Sequence, residues 1–203
     1  MRSSVLTSLA LTGAAGVLIG LGALPAAADT TITATYPVSG STYLRAVNST
    51  LPLGPGTLTS TVDLTTSAVT ASTLKLPPTT GSFTVFGFIP VTATTALIQD
   101  GSAIGKVSLA ASTVTVTAKV TIKLTSLKVA GISLPIGRRC ETATPASITV
   151  SSQPGFSVLG GGTVAGTYTI PRFSHCGVAT FLINLTIPGA GNTISLTLGK
   201  ATL

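Results

Sequence analysis

The chain has 203 residues, of which 44% are hydrophobic and only 7% charged, with a formal net charge of +7. That much apolar content, regularly placed, argues against disorder, and the single histidine excludes His-Glu-x-x-His metal sites and any two-histidine scheme. Soluble domains average about 25% charged residues, so the solubility expected here has to come from the many Thr and Ser hydroxyls.

The chain opens with one positive charge at Arg2, an apolar stretch from Val5 to about Leu24, and then Pro25-Ala26-Ala27-Ala28-Asp29. This is the layout of a secretory signal peptide. A helical leader over residues 1–28, cut after Ala28, and a mature chain over residues 29–203 are therefore expected. The competing reading is an uncleaved anchor, because the stretch is nearly long enough to span a bilayer. Its Gly, Ser and Thr content and the Ala26-x-Ala28 spacing weigh against that. No Cys follows the apolar stretch and Arg2 stands alone, so neither a lipoprotein nor a twin-arginine route is supported. Ten of the eleven Lys and Arg and all four acidic residues lie beyond residue 28, a mature net charge of +6. The length left fits one domain, and no later apolar run suits a transmembrane helix.

From there the pattern has a period of two. Leu58, Val62 and Leu64 alternate with Thr57, Thr59, Thr61 and Asp63. Val114, Val116, Ala118, Val120, Ile122 and Leu124 alternate with Thr113, Thr115, Thr117, Lys119, Thr121 and Lys123. Val164, Tyr168 and Ile170 stand against Thr163, Thr167 and Thr169. Phe181, Ile183, Leu185 and Ile187 stand against Leu182, Asn184 and Thr186, and Ile194, Leu196 and Leu198 repeat the pattern. Alternation of this kind predicts strands with one buried and one wet face, and β-branched Thr suits them. No segment after Ala28 predicts a helix. A change of phase past Leu124 predicts a β-bulge near Ser126.

Turn formers separate these runs. Gly54-Pro55-Gly56, Pro77-Pro78, Pro154-Gly155, Gly160-Gly161-Gly162 and Pro188-Gly189-Ala190-Gly191-Asn192 read as loops, and Asp100-Gly101 reads as a hairpin turn. Many short strands with regular turns predict an all-β, single-domain antiparallel sandwich or barrel-like fold. Cys140 and Cys176 are the only cysteines, and an even count in an exported chain predicts one disulfide.

Catalytic patterns are missing. His175 reads as a surface residue beside the disulfide. Asp29, Asp63, Asp100 and Glu141 show no placement for the paired acid–base work of a glycosidase. There is no Gly-x-Ser-x-Gly and no phosphate loop, and Gly189-Ala190-Gly191 lacks the third glycine of a dinucleotide fingerprint. Neither a cofactor nor a metal is expected. The basic residues are the one electrostatic feature: Lys119 and Lys123 share a strand face about 13 Å apart, with Lys128 beyond. Lys119, Lys123 and Lys128 form a candidate anion-contacting strip for acidic cell-wall polymer or lipid headgroups. Lysines that block edge-to-edge aggregation are the plainer alternative. Nucleic acid is not an expected partner, since no binding motif is present and aromatics are few.

Several blocks add a resemblance. Ile136-Gly137-Arg138-Arg139-Cys140-Glu141-Thr142-Ala143-Thr144-Pro145, Gly162-Thr163-Val164-Ala165-Gly166-Thr167-Tyr168-Thr169-Ile170-Pro171, Cys176-Gly177 and the closing Ile183–Thr193 run resemble exported β-rich proteins of actinobacteria. Gly81-Ser82-Phe83-Thr84-Val85-Phe86-Gly87 is similar too. The resemblance implies an exported, disulfide-bridged, β-rich protein and carries over no functional residue. The expected function is a secreted or cell-envelope-associated, extracellular, non-enzymatic protein with a structural or binding role. The alternative is a lipid-binding or membrane-embedded β-barrel of the envelope, since apolar/Thr alternation also suits such a wall.

Overall fold

The computed structural model of the protein describes residues 30–203, so the expected leader and Asp29 lie outside the described residues. In chain order the strands are β1 (Thr31–Leu44), β2 (Ser49–Asp63), β3 (Ala68–Lys75), β4 (Thr79–Val85), β5 (Ile89–Gln99), β6 (Ile104–Ser108) and β7 (Thr113–Val129). They continue as β8 (Ile132–Ser133), β9 (Glu141–Thr142), β10 (Ala146–Ser152), β11 (Gly162–Ile170), β12 (Phe173–Ser174) and β13 (Gly189–Leu198). Among the described residues one short α-helix, α1 (Thr180–Thr186), and two single 3-10 turns interrupt them.

Eight strands close an antiparallel barrel in the order β1-β2-β3-β6-β7-β10-β11-β13, with β13 returning to β1. The long β7 makes closure possible. Its first half pairs with β6 on one edge and β10 on the other. Its second half runs past the barrel, pairing with β5 and, through Lys123 and Lys128, with β9 and β8. β4 pairs with β5, and β12 with β9, as outer strands. Closure also needs close contact between neighbouring backbones. A Cβ on Gly40 would collide with the Ser195 carbonyl of β13, and one on Gly166 with the Thr149 carbonyl of β10, so only glycine fits these wall positions.

The predicted facing of β7 holds. Val120, Ile122 and Leu124 are buried, while Thr115 and Lys119 are exposed. Outside, hydroxyls pair across strands at opposed positions: Thr33 with Thr61 at 2.9 Å, Thr115 with Ser151 at 3.0 Å, and Thr117 with Thr149 at 2.8 Å. Each such pair contributes a few tenths of a kcal/mol to about 1 kcal/mol. Inside, most of the buried apolar residues, from Ala34 to Leu198, form one cluster, which includes the bridged Cys140 and Cys176. The bulge lies where it was expected: Thr94 faces Ser126 and Thr95 faces Leu124, leaving Thr125 without a partner.

Four local expectations are corrected. Phe181–Ile187 is not a strand but α1 with its flank. Its apolar residues also satisfy a helical spacing, with Ala179, Ile183 and Ile187 buried at every fourth position. The helix is favoured because the edge of β12 is already satisfied by a side chain. Asn184 accepts from the Phe173 N–H at 2.7 Å and donates to the Phe173 carbonyl at 2.9 Å. Asp100-Gly101 is not a hairpin turn, because β5 and β6 do not pair with each other but sit end to end along one edge of β7. Gly54-Pro55-Gly56 lies within β2, at the shift in register opposite Val38 and Gly40. Gly189–Asn192 opens β13 instead of forming a loop. There the buried Asn192 accepts from the Arg45 N–H at 3.1 Å and donates to the Gly189 carbonyl at 2.7 Å, supplying partners that a regular ladder would give.

Candidate functional site

The alternation that puts Thr outside puts Val, Leu and Ile inside the barrel, and they do not fill it. A cavity of about 130 Å³ remains, walled by side chains such as Leu58, Val62, Leu74, Val116, Val150 and Leu196. An eight-stranded barrel is just wide enough either to be filled by its own side chains or to hold one small ligand. The polar groups on this wall are few: Tyr36, Ser60, Ser72 and Gln99. Tyr36 donates its hydroxyl to the Val158 carbonyl at 2.7 Å, and burial pushes its pKa up. A smaller cavity of about 40 Å³, bordered by Leu44, Leu51, Leu124 and Tyr168, lies where the second half of β7 covers β1 and β2. There the Tyr168 hydroxyl meets Thr42 Oγ1 at 2.7 Å; burial raises its pKa, and the Thr42 contact opposes that in part.

Gln99 is the structural key to the larger cavity. β3 pairs with β6 only at Ala68 and Val69, so the backbone of Ser72 and Leu74 has no strand neighbour on that side. The Gln99 amide supplies one. Its Oε1 accepts from the Leu74 N–H at 2.8 Å, and its Nε2 donates to the carbonyls of Ser72 at 2.6 Å and Gly101 at 2.8 Å. Together with the Ala103 N–H, which also donates to the Ser72 carbonyl at 3.0 Å, this side chain closes the seam between β3 and β5 without a ladder. Gln99→Leu keeps the bulk but orphans the Leu74 N–H. A loss of about 2 kcal/mol in urea unfolding is expected, with faster hydrogen exchange at Leu74 than at Leu58 across the strand. Equal exchange at the two amides would show that the seam does not depend on Gln99.

The residues singled out from sequence lie elsewhere. Lys119, Lys123 and Lys128 do share the outer face of β7, but Glu141 stands directly opposite Lys123 and divides the strip. His175 is exposed beside the disulfide, its Nδ1 3.0 Å from Ser174 Oγ. Asp63 caps the turn after β2: it accepts from Thr66 Oγ1 at 2.7 Å and from the Thr65 N–H at 2.7 Å. The bonds from Thr66, side chain first, hold its carboxyl below the usual range. Asp100 is exposed in the β5–β6 turn, and its N–H donates to the Lys119 carbonyl at 2.8 Å. Among the described residues no group of three or more His, Cys, Asp or Glu is gathered as for a metal ion. No described helix is long and apolar enough to cross a membrane.

No family model, curated protein or solved structure matches the chain. Sequence reasoning passed over the lumen residues because each inward apolar side chain looks like ordinary core. Gln99 carried no signal beyond its place before Asp100-Gly101.

Proposed function

We propose that the protein is a non-enzymatic binding protein, secreted or held at the cell envelope, that carries a small apolar molecule inside its barrel. The observation that carries this reading is the cavity of about 130 Å³ with its almost wholly apolar wall. A cavity of about 150 Å³ lined by Leu, Ile and Phe stays dry and takes up benzene, so a ligand of similar size and polarity fits here. Export is supported by the secretory layout of residues 1–28 and by the disulfide between Cys140 and Cys176. A membrane-embedded barrel is the weaker account, because such a wall turns its apolar rows outward to lipid. Here Thr and Ser rows face out and the apolar rows face in.

The test is ligand-induced stabilisation. Toluene or indole at ten times its dissociation constant should stabilise the fold by about 1.4 kcal/mol, read as a rise in melting temperature. Ala118→Leu, which adds bulk on the cavity wall, should abolish that rise without lowering the starting temperature. No rise with any small apolar ligand, or an equal rise in the variant, counts against a ligand in the lumen.

A further inference from the structure

The end of the barrel away from Thr30 carries a second feature, independent of what the lumen holds. The β4–β5 and β7–β8 turns project side by side, since Val91 stands opposite Val129 and Val129 opposite Ile132. The Ala130 N–H also donates to the Pro90 carbonyl at 2.8 Å. Phe86 and Phe88 occupy the first tip and Ile132 the second, with Phe88 76% and Ile132 69% exposed. Phe86 sits at φ +53, a conformation that glycine and asparagine adopt readily and a bulky side chain resists. Past the second tip the chain runs along Pro135 and Gly137, against the segment that leads into α1. A Cβ on Gly177 would stand 3.3 Å from the Pro135 carbonyl. The start of α1 therefore lies beside the same loop, with Val178 82% and Phe181 79% exposed.

Three of the six phenylalanines in the chain are thus turned to the outside, all at this end. The residues exposed at the opposite mouth, Leu109, Leu159 and Leu203, are aliphatic. Lys128, on β7 opposite Ser133, and Arg138, Arg139 and Arg172, on the segments that lead into β9 and β12, are exposed, and among the described residues Glu141 is the acidic residue on the same segments. A stable protein contact needs a complementary face on the order of 800 Å² per partner. Separated convex tips do not make one, but a fluid bilayer admits them, and basic neighbours add attraction to anionic headgroups. We propose that this end docks on an anionic lipid bilayer. The Phe86, Phe88, Ile132 and Phe181 side chains enter the acyl boundary, and Lys128, Arg138, Arg139 and Arg172 meet the headgroup phosphates.

The chain contains no tryptophan, so a single one is a unique reporter. Phe88→Trp, Phe181→Trp and, as the reference at the opposite mouth, Leu159→Trp are introduced into the chain from Asp29 onward, which retains the closed barrel and its whole core. Each is titrated with vesicles of equimolar phosphatidylcholine and phosphatidylglycerol. Emission from the two tip variants should shift to the blue and be quenched by bilayer-brominated lipid, while Leu159→Trp stays as in buffer. Pure phosphatidylcholine vesicles should bind roughly tenfold more weakly or worse. Unchanged emission at both tips, or equal changes at all three positions, would overturn the assignment. So would a tip shift that grows with protein concentration in the absence of vesicles, which would mark a second copy as the occupant. Binding that survives joint Phe86→Ser, Phe88→Ser and Phe181→Ser replacement and disappears at high salt would reduce the contact to charge alone, and overturns the docking as well.

Discussion

Val120→Asp is expected to lower the unfolding free energy by about 4 kcal/mol, whereas Thr117→Asp, three residues earlier on the same strand, changes it by about 0.5 kcal/mol or less. Val120 is 8% exposed and points into the barrel, where a carboxylate finds neither water nor a cation. Thr117 lies on the outer face, where its hydroxyl meets that of Thr149 at 2.8 Å. Burial raises the pKa of an introduced carboxyl above its unfolded value of about 3.9. Between those two pKa values the native state holds the proton and the unfolded state has lost it, so the penalty grows as pH rises through that window and shrinks as pH falls back through it. Urea unfolding of both variants at neutral and acid pH checks the argument. Equal losses at the two sites would mean that β7 is buried on both faces.

Joint Cys140→Ala and Cys176→Ala replacement should cost about 4 kcal/mol by the chain-entropy account of a closed loop, since the bridge joins residues 36 apart in sequence. The effect should also have a direction in space. β12 pairs with β9, and β9 meets β7 at Lys123–Glu141, where the Leu124 N–H also donates to the Cys140 carbonyl at 2.8 Å. The bridge ties that same β9 end to the start of α1, with both sulfur-bearing residues fully buried. Hydrogen exchange should therefore accelerate first over residues 173–187, before β1, β2 and β13 respond. A uniform loss of protection would show that the bridge acts only on the unfolded chain.

Much of the fold was legible because it is local. A β-strand buries one face, so Val114 to Leu124 declares its own facing, and the bulge after it follows from the same count. The Phe181–Ile187 run was ambiguous for the opposite reason. Its apolar residues fit periods of two and of nearly four, and the choice depended on Asn184 reaching Phe173 across the β12 edge. The candidate sites were less legible. An inward Val116 or Leu196 looks the same in the sequence whether it fills a core or walls a cavity. Exposed Phe86 and Phe181 look like core until their neighbours are known.

The amino-acid order by itself determined β structure, the two faces of β7, the outward hydroxyl rows and the cysteine pair, since each depends on residue type and spacing along one stretch of chain. Only the tertiary structure decided that β13 returns to β1 to make a barrel, that β5 and β6 share one edge of β7, and that a lumen is left inside. A period of two states which face is buried but not which strand lies alongside. The space left when eight such faces meet depends on the summed size of side chains far apart in sequence.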